Sequence, residues 1–270
     1  MNMMAETYCT ATLNYAGTED YLPTRVDILD GRSADIDYDT TGFTLLNHRT
    51  AVEDWLDMDE VARIHEPEIK ALAEDFLGCR HALVYPPLVR SPLAVKASSD
   101  YAPILSVHND YTEDYRRMVT NPEHTYAGFL GPLLERHGLT YADVQGAPRI
   151  SVIQFWRNIG DPHPDHPLAV MDASSSRRDE MIPIAVPVYA GMALDFEAFA
   201  VRPPEETGAH RWYTYPGMAL DEVLAFRTYD SACEDAGKPF WTAHTAFRDP
   251  LVGDDAPLRA SVEMRALCLF

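Results

Sequence analysis

Residues 258–270 read LRASVEMRALCLF, and this stretch carries the clearest strand signal in the chain. Polar and apolar residues alternate from Leu258 to Ala266. Side chains of a strand point to opposite faces in turn, so one face is apolar and is expected to pack in the core. The other face carries Arg259, Ser261, Glu263 and Arg265. A polar face with two arginines either meets solvent or forms part of a binding site.

The same kind of pattern recurs through the second half of the sequence. Short β-prone runs separated by turn residues precede the last one; they are RISVIQFWRNI, PLAVMDA, MIPIAVPVY, HRWYTYPG, EVLAFRTYD and FWTAHTAF. Several short strands with turn signals between them indicate an antiparallel sandwich or barrel. The second half of the chain is therefore predicted to be rich in β-structure.

Helical patterns precede this region. Apolar residues recur at helical spacing over about residues 50–78, and a second helical region covers about 112–137. Pro67 is predicted to break the first region into two helices, because proline lacks the amide donor that a helix interior needs. The architecture is α+β, with one domain over residues 1–270. Residues 1–24 are expected to be an N-terminal extension, and 25–270 to form the main body.

Composition excludes several classes of partner. The formal net charge is −20, from 42 acidic and 22 basic residues, and it opposes binding to nucleic acid or to an anionic membrane surface. No apolar run is long enough to span a membrane, and the first residues do not resemble a secretory signal. The four cysteines are far apart, as expected of reduced thiols. These features predict a cytoplasmic protein.

Two H-x-D triplets are candidates for a metal site. On a strand, residues i and i+2 share a face, so H-x-D presents an imidazole beside a carboxylate. His108 and Asp110 follow the β-prone run APILSV, which favours this geometry. His163 and Asp165 lie in the proline-rich stretch GDPHPDHP, which is typical of a surface loop and gives poor backing for metal ligands. The first triplet is the preferred candidate.

The C-terminal region supplies a third ligand candidate. His244 lies in the aromatic stretch PFWTAHTAFRDP, and two imidazoles with one carboxylate make the facial triad of non-haem Fe(II) enzymes. Fifteen residues after His244 comes Arg259, with Ser261 in the motif R-x-S. A guanidinium beside a hydroxyl is well suited to hold a carboxylate.

H-x-D, a distant His and then R-x-S together resemble the Fe(II)/2-oxoglutarate-dependent oxygenases. Within them, the chain is similar to the family that includes the cephalosporin 7-hydroxylase component and the gibberellin-desaturase-like enzymes of secondary metabolism. The resemblance covers most of the chain from about residue 25. The matching pieces are GFTLLNHRT, VHNDYT, FWRNI, PLAVMDASS, DEVLAFRTYDS, HTAFRDP and RASVEMRAL.

This resemblance implies a double-stranded β-helix, the cupin-like jelly roll, braced by the N-terminal helices. It also implies that His108, Asp110 and His244 bind Fe(II), and that Arg259 and Ser261 hold 2-oxoglutarate, with O₂ as the second co-substrate. The activity implied is oxidation of a C–H bond of a small molecule by hydroxylation, desaturation or cyclisation. The expected partners are a small-molecule substrate and, as an alternative to a monomer, a second copy of the chain in a homodimer.

Four arginines and one tyrosine are candidates for contacting the substrate: Arg116, Arg117, Arg157, Arg265 and Tyr111. These cations favour a carboxylate-bearing natural product or amino-acid derivative. Two alternatives stay open. One is a cupin-like metal-dependent dioxygenase or isomerase that does not use 2-oxoglutarate. The other is a non-enzymatic β-sandwich binding protein.

Overall fold

The computed structural model describes residues 5–96, 98–189 and 191–270, and the backbone there is organised around two β-sheets. The strands are, in chain order, β1 (Thr7–Ala16), β2 (Tyr21–Asp30), β3 (Phe43–Asn47), β4 (His81–Val84), β5 (Leu88–Arg90), β6 (His108–Asn109), β7 (Ile150–Asn158), β8 (Leu168–Met171), β9 (Met181–Tyr189), β10 (Met192–Val201), β11 (Trp212–Thr214), β12 (Glu222–Asp230), β13 (His244–Ala246) and β14 (Ser261–Leu269). The helices are α1 (Tyr38–Thr41), α2 (Met58–Leu77), α3 (Pro92–Val95), α4 (Asp114–Thr120), α5 (Ala127–Arg136), α6 (Tyr141–Gly146) and α7 (Ser231–Asp235).

The larger sheet has the order β1-β2-β11-β8-β13-β6-β10-β9, and the smaller sheet has the order β3-β12-β7-β14-β4, with β5 also paired to β14. Apolar side chains from both sheets meet in one cluster; Trp156 and Phe226 of the smaller sheet pack there with Val170 of the larger. Two sheets packed face to face in this way form a jelly roll, that is, a double-stranded β-helix. The predicted fold class is therefore confirmed, and each of the seven predicted C-terminal strands is present.

Strand β14 divides its two faces between different environments. Val262, Met264, Ala266 and Cys268 point outward and pack beneath α2. The inward face is polar from Arg259 to Arg265 and becomes apolar at Leu267 and Leu269. The polar part of this face lies inside the jelly roll, because its members are largely buried. The alternation read from the sequence thus belongs to an internal site rather than to a solvent-facing strand.

Helix α2 is continuous, so the predicted break at Pro67 is wrong. The helix begins after Asp57, whose carboxylate accepts hydrogen bonds from the backbone N–H groups of Asp59 and Glu60, and it ends at Gly78. Proline inside a helix costs about 3 kcal/mol. Burial of Val61 and Ile69, each contributing about 1.5–3 kcal/mol, offsets that cost. Pro67 itself is on the exposed face, where its ring meets solvent.

The second predicted helical region, 112–137, is two helices rather than one. Helix α4 ends at Thr120, and Asn121 adopts an extended conformation because it precedes Pro122. Helix α5 begins at Ala127. The predicted end of this region near residue 137 is confirmed, since α5 ends at Arg136 and Gly138, two residues later, has a φ of 67°.

The N-terminal residues are part of the jelly roll, so the predicted boundary at residue 25 does not divide two structural parts. Strand β1 pairs with β2 along most of its length and forms one edge of the larger sheet. Leu13 and Tyr15 are completely or almost completely buried. Inward-facing residues alternate with outward-facing threonines along β1, a period-two pattern that the sequence already contained. Among the described residues, no helix has the length and apolar character required to cross a membrane.

Candidate metal centre

Three side chains meet at one point between neighbouring strands of the larger sheet. His108 of β6 is paired directly with His244 of β13, and their ring centroids are 4.3 Å apart. Asp110 follows β6 by one residue. Its Oδ1 atom lies 3.9 Å from Nε2 of His108 and 3.7 Å from Nε2 of His244. The three potential ligand atoms all lie within 4.8 Å of one another, an arrangement that can hold a metal ion.

Backbone carbonyl groups orient both imidazoles. Nδ1 of His108 lies 2.8 Å from the carbonyl oxygen of Ser106, and Nδ1 of His244 lies 3.1 Å from that of Thr242. A carbonyl oxygen only accepts, so Nδ1 carries the proton in each ring. The lone pairs of the two Nε2 atoms are therefore directed at the shared point, as ligation of a metal requires.

Electrostatics keep these three groups in their ligand forms. Burial lowers the pKa of His108, and burial together with the neighbouring His108 lowers the pKa of His244 to about 4. Burial acts to raise the pKa of Asp110, but the charge and hydrogen bond of Arg265, together with the neighbouring His244 and His108, outweigh burial and hold that pKa well below its usual range. At neutral pH the site therefore offers two neutral imidazoles and one carboxylate.

A chain of alternating charges supports Asp110. Nε of Arg265 donates to Oδ2 of Asp110 at 2.8 Å, and Arg265 also lies 3.6 Å from Glu263. Glu263 in turn accepts a hydrogen bond from Arg90 at 2.9 Å. Asp110, Glu263 and Arg90 are buried and the Arg265 side chain is only 16% exposed, so the ion pairs are poorly screened by solvent. Because Arg265 occupies Oδ2, the free oxygen of Asp110 is the one that faces the histidines.

A narrow cleft, here called the small compartment, leads from the triad to Arg259. Besides His108 and His244, its walls include Trp156, Leu168, Thr245 and Glu263. The Arg259 side chain is buried, and its Nε atom has no hydrogen-bond partner among the described residues. Burial lowers the pKa of Arg259 to about 10, so it remains a cation at neutral pH. A buried cation without a paired carboxylate fits an anionic ligand.

Ser261 is buried on the same face of β14, two residues beyond Arg259. It is not among the residues that line the small compartment. The structure thus brings Arg259 to the compartment and places Ser261 beside it.

A second space, the large cavity, opens on the other side of His108. It has a volume of about 440 Å³, and Asp110 and Arg265 lie at its inner end. Most of its wall is aromatic or aliphatic, and six representative members are Tyr85, Tyr111, Tyr126, Phe129, Leu194 and Phe196. His108, Ile104 and Arg265 connect the two spaces, because each of them lines both.

Of the predicted substrate contacts, Tyr111 and Arg265 line the large cavity, and three arginines do not. Arg116 is exposed and paired with Asp235, and Arg117 is exposed and paired with Asp114. Arg157 is buried, but its guanidinium donates to the backbone carbonyls of His48 and Leu220. The structure therefore does not bring Arg116, Arg117 and Arg157 to the large cavity, and each has a partner elsewhere.

Comparison with known proteins places the chain in a family. The family model described as "Oxidoreductase/YMDC permease-like domain" matches residues 4–269. The chain belongs to this family.

The names of curated relatives agree with the oxidoreductase part of that description. The "Alpha-ketoglutarate-dependent dioxygenase phiK" of Fungal sp. (strain ATCC 74256) is 28% identical over 252 residues, covering 91% of this chain and 83% of that protein. The "Fe(II)/2-oxoglutarate-dependent dioxygenase nvfI" of Aspergillus novofumigatus (strain IBT 16806) is 26% identical over 263 residues, covering 92% and 84%.

A solved structure, "iron and alpha-ketoglutarate-dependent endoperoxidase NvfI", has a TM-score of 0.75 at 22% identity and covers 97% of this chain and 98% of its own. This structural similarity supports the jelly-roll fold of the present chain. The predicted kinship with Fe(II)/2-oxoglutarate-dependent oxygenases of secondary metabolism is confirmed by the names of the curated relatives.

Sequence reasoning did not single out Glu263 and Arg90, although both belong to the charge chain that supports Asp110. Glu263 carried a usable signal, because it lies on the polar face of β14 between Ser261 and Arg265. Arg90 carried none, since only the pairing of β5 with β14 brings it beside Glu263.

Proposed function

We propose that this chain is an Fe(II)/2-oxoglutarate-dependent oxygenase that oxidises a C–H bond of a small-molecule natural product. One observation carries the proposal. Two Nε2 atoms and one carboxylate oxygen face a common point, and a compartment beginning there ends at Arg259, whose guanidinium forms no ion pair within the described part of the chain. A metal triad alone fits several enzyme classes; the buried arginine adds a place for a dicarboxylate co-substrate.

The residues present fit both groups. His108, Asp110 and His244 would hold Fe(II), since two imidazoles and a carboxylate on one side leave the other coordination positions open. Arg259 would take the distal carboxylate of 2-oxoglutarate, and the Ser261 hydroxyl is proposed as a second donor to it. When bound, Fe(II), 2-oxoglutarate and O₂ supply an oxidant that removes hydrogen from a C–H bond. The chain itself orients the co-substrate and holds the substrate in a largely apolar space that excludes water.

The type of oxidation is proposed as hydroxylation, desaturation or ring formation. Two relatives carry the name "Hydroxylase/desaturase", CTB9 of Cercospora beticola and efuI of Hormonema carpetanum. Their names support C–H oxidation as the shared step. Homodimer formation stays a prediction. A cytoplasmic location is likewise proposed, and the four cysteines, all present as free thiols, support it.

Two measurements test the proposed function. Anaerobic titration with Fe(II) should show one ion per chain, and His108→Ala and His244→Ala should each abolish tight binding. Absence of stoichiometric binding would instead support the non-enzymatic binding protein. Consumption of 2-oxoglutarate with release of succinate should depend on Arg259. A metal-bound enzyme that releases no succinate would support the cupin-like alternative.

A further inference from the structure

The two spaces beside the triad differ sharply in charge. Arg90, Arg259, Arg265 and Glu263 line the small compartment, which therefore carries an excess of positive charge suited to a dicarboxylate. In the large cavity, Arg265 is the cation among the described lining residues. Its guanidinium is already engaged by Asp110 and lies near Glu263. The cavity thus offers no unpaired positive charge to an incoming ligand.

The remaining polar groups of the large cavity are neutral donors and acceptors. Burial raises the pKa of Tyr85 and Tyr126 well above the usual value, so these phenols stay protonated. The hydroxyl of Tyr85 is 2.6 Å from that of Tyr115, which lies directly behind the cavity wall. Such phenols can hydrogen-bond a carbonyl or hydroxyl group of a ligand, but they do not neutralise a charge.

The opposite wall comes from the hairpin of β9 and β10, and it is apolar. Ile184, Val186, Met192, Leu194 and Phe196 all line the cavity. A carboxylate that moved from water into this space without a counter-ion would lose several kcal/mol of solvation free energy. A volume of about 440 Å³ with largely apolar walls is instead typical of a site for a multi-ring small molecule.

We propose that the substrate of this site is an uncharged, mainly apolar molecule of several rings, or of comparable branched bulk, whose oxygen functions are neutral. The substrate class rests on the proposed function, because it assumes that the large cavity is where the C–H bond is oxidised. It replaces the carboxylate-bearing substrate expected from the sequence. That expectation depended on four arginines, of which three lie elsewhere and the fourth is engaged by Asp110.

A matched pair of fluorescent probes tests the charge preference directly. Pyrenemethanol and pyrenecarboxylate share one ring system and differ in charge. Each is titrated against the metal-free protein with excess 2-oxoglutarate present, so that the small compartment is not open to the carboxylate. The neutral probe should bind at least tenfold more tightly than the carboxylate. Equal or tighter binding of the carboxylate, or failure of both probes to bind, would overturn the proposal.

A cation placed in the hairpin should reverse this preference. Val186→Lys adds an ammonium to the cavity wall, and it should weaken the neutral probe while strengthening the carboxylate probe. Val188→Lys is the matched control, because Val188 is on the same strand, 59% exposed and not among the lining residues. Met192→Lys, at an exposed part of the same wall, gives a second test if Val186→Lys does not fold. No change in the ratio of the two affinities in either folded variant would contradict the proposed location.

These titrations need neither iron nor oxygen nor turnover. Failure of the proposed function would appear as a lack of succinate release, while the probe preference could still hold. Failure of the substrate class would appear as a lost probe preference in an enzyme that still releases succinate. The two outcomes are therefore distinguishable.

Discussion

Nε of Arg265 donates a hydrogen bond of 2.8 Å to Oδ2 of Asp110, while Oδ1 of the same carboxylate faces the two histidines. The arginine thereby decides which oxygen is available to a metal. It does so from β14, in the sheet opposite the strands that carry the histidines. The hydrogen bond between Arg265 and Asp110 thus makes the geometry of the candidate metal site depend on how the two sheets pack.

Removal of this hydrogen bond should weaken metal binding without abolishing it. In Arg265→Ala, Asp110 loses its orienting partner and Glu263 loses a neighbouring cation, so we expect the affinity for Fe(II) to fall by about 10–100-fold. Anaerobic calorimetry with Fe(II) or Mn(II) measures the change. Arg117→Ala, which removes an exposed arginine paired with Asp114, is the control and should bind metal as before. An unchanged affinity in Arg265→Ala would show that Asp110 needs no such support.

Arg259→Met should act on the co-substrate rather than on the metal. Loss of a buried charge that pairs with a ligand carboxylate typically costs 2 kcal/mol or more, so we expect KM for 2-oxoglutarate to rise by roughly 30-fold or more. Affinity for Fe(II) should stay within a few-fold of the original. Succinate release at varied 2-oxoglutarate measures the effect, with the exposed Arg177→Met as the control. A parallel loss of metal binding would mean that Arg259 supports the fold instead.

Pro67→Ala should stabilise the protein. Pro67 lies on the exposed face of a continuous helix, so alanine restores a backbone donor while little packing is lost. The expected gain in the free energy of unfolding is about 1–3 kcal/mol, seen as a higher Tm. Ala71→Pro makes the reverse change at another exposed position of α2 and should destabilise by about 3 kcal/mol or more. A lower Tm in Pro67→Ala would indicate that the helix is shaped around the proline.

Stability should fall in acid, with His65 as one cause. Its side chain is 2% exposed, and burial lowers its pKa to about 4 despite the hydrogen bond with Glu68. In the unfolded chain the pKa is about 6.5, so between these values the unfolded state binds more protons and stability drops as the pH falls. The contribution of His65 is on the order of 2–3 kcal/mol between pH 6.5 and 4. Denaturant unfolding at several pH values should show a shallower pH dependence for His65→Gln than for the original protein, and an unchanged slope would contradict this role of His65.

The chemistry-bearing part of the site was largely predictable from the sequence, because its residues have strong local signals. The alternation of β14 indicated a shared face for Arg259 and Arg265, and H-x-D on a strand predicted adjacent ligands. The structure brings His108, Asp110 and His244 together as predicted, and it brings Arg259 to the neighbouring compartment.

The remaining features depend on pairing that no local pattern specifies. Strand β10 was missed, since Asp195 and Glu197 interrupt its apolar residues and a register shift occurs between Ala193 and Phe196. The β9–β10 hairpin supplies the apolar wall of the large cavity, so the sequence pattern did not reveal that wall. The break predicted at Pro67 does not occur, because residues of α2 such as Ile69 and Ala73 are buried against the smaller sheet. A rule that considers only the local sequence around a proline does not include this burial.

The β9–β10 hairpin lies at the open edge of the larger sheet, and its inner strand pairs directly with the two-residue strand that bears His108. One border of the hairpin is thus anchored to the reactive centre, while the other has no neighbouring strand within the described part of the chain. Substitutions along the outer strand can remodel the wall without touching a ligand. The metal-binding residues and the cavity wall can therefore change independently of each other. Replacing this hairpin is a direct way to engineer the enzyme for new substrates.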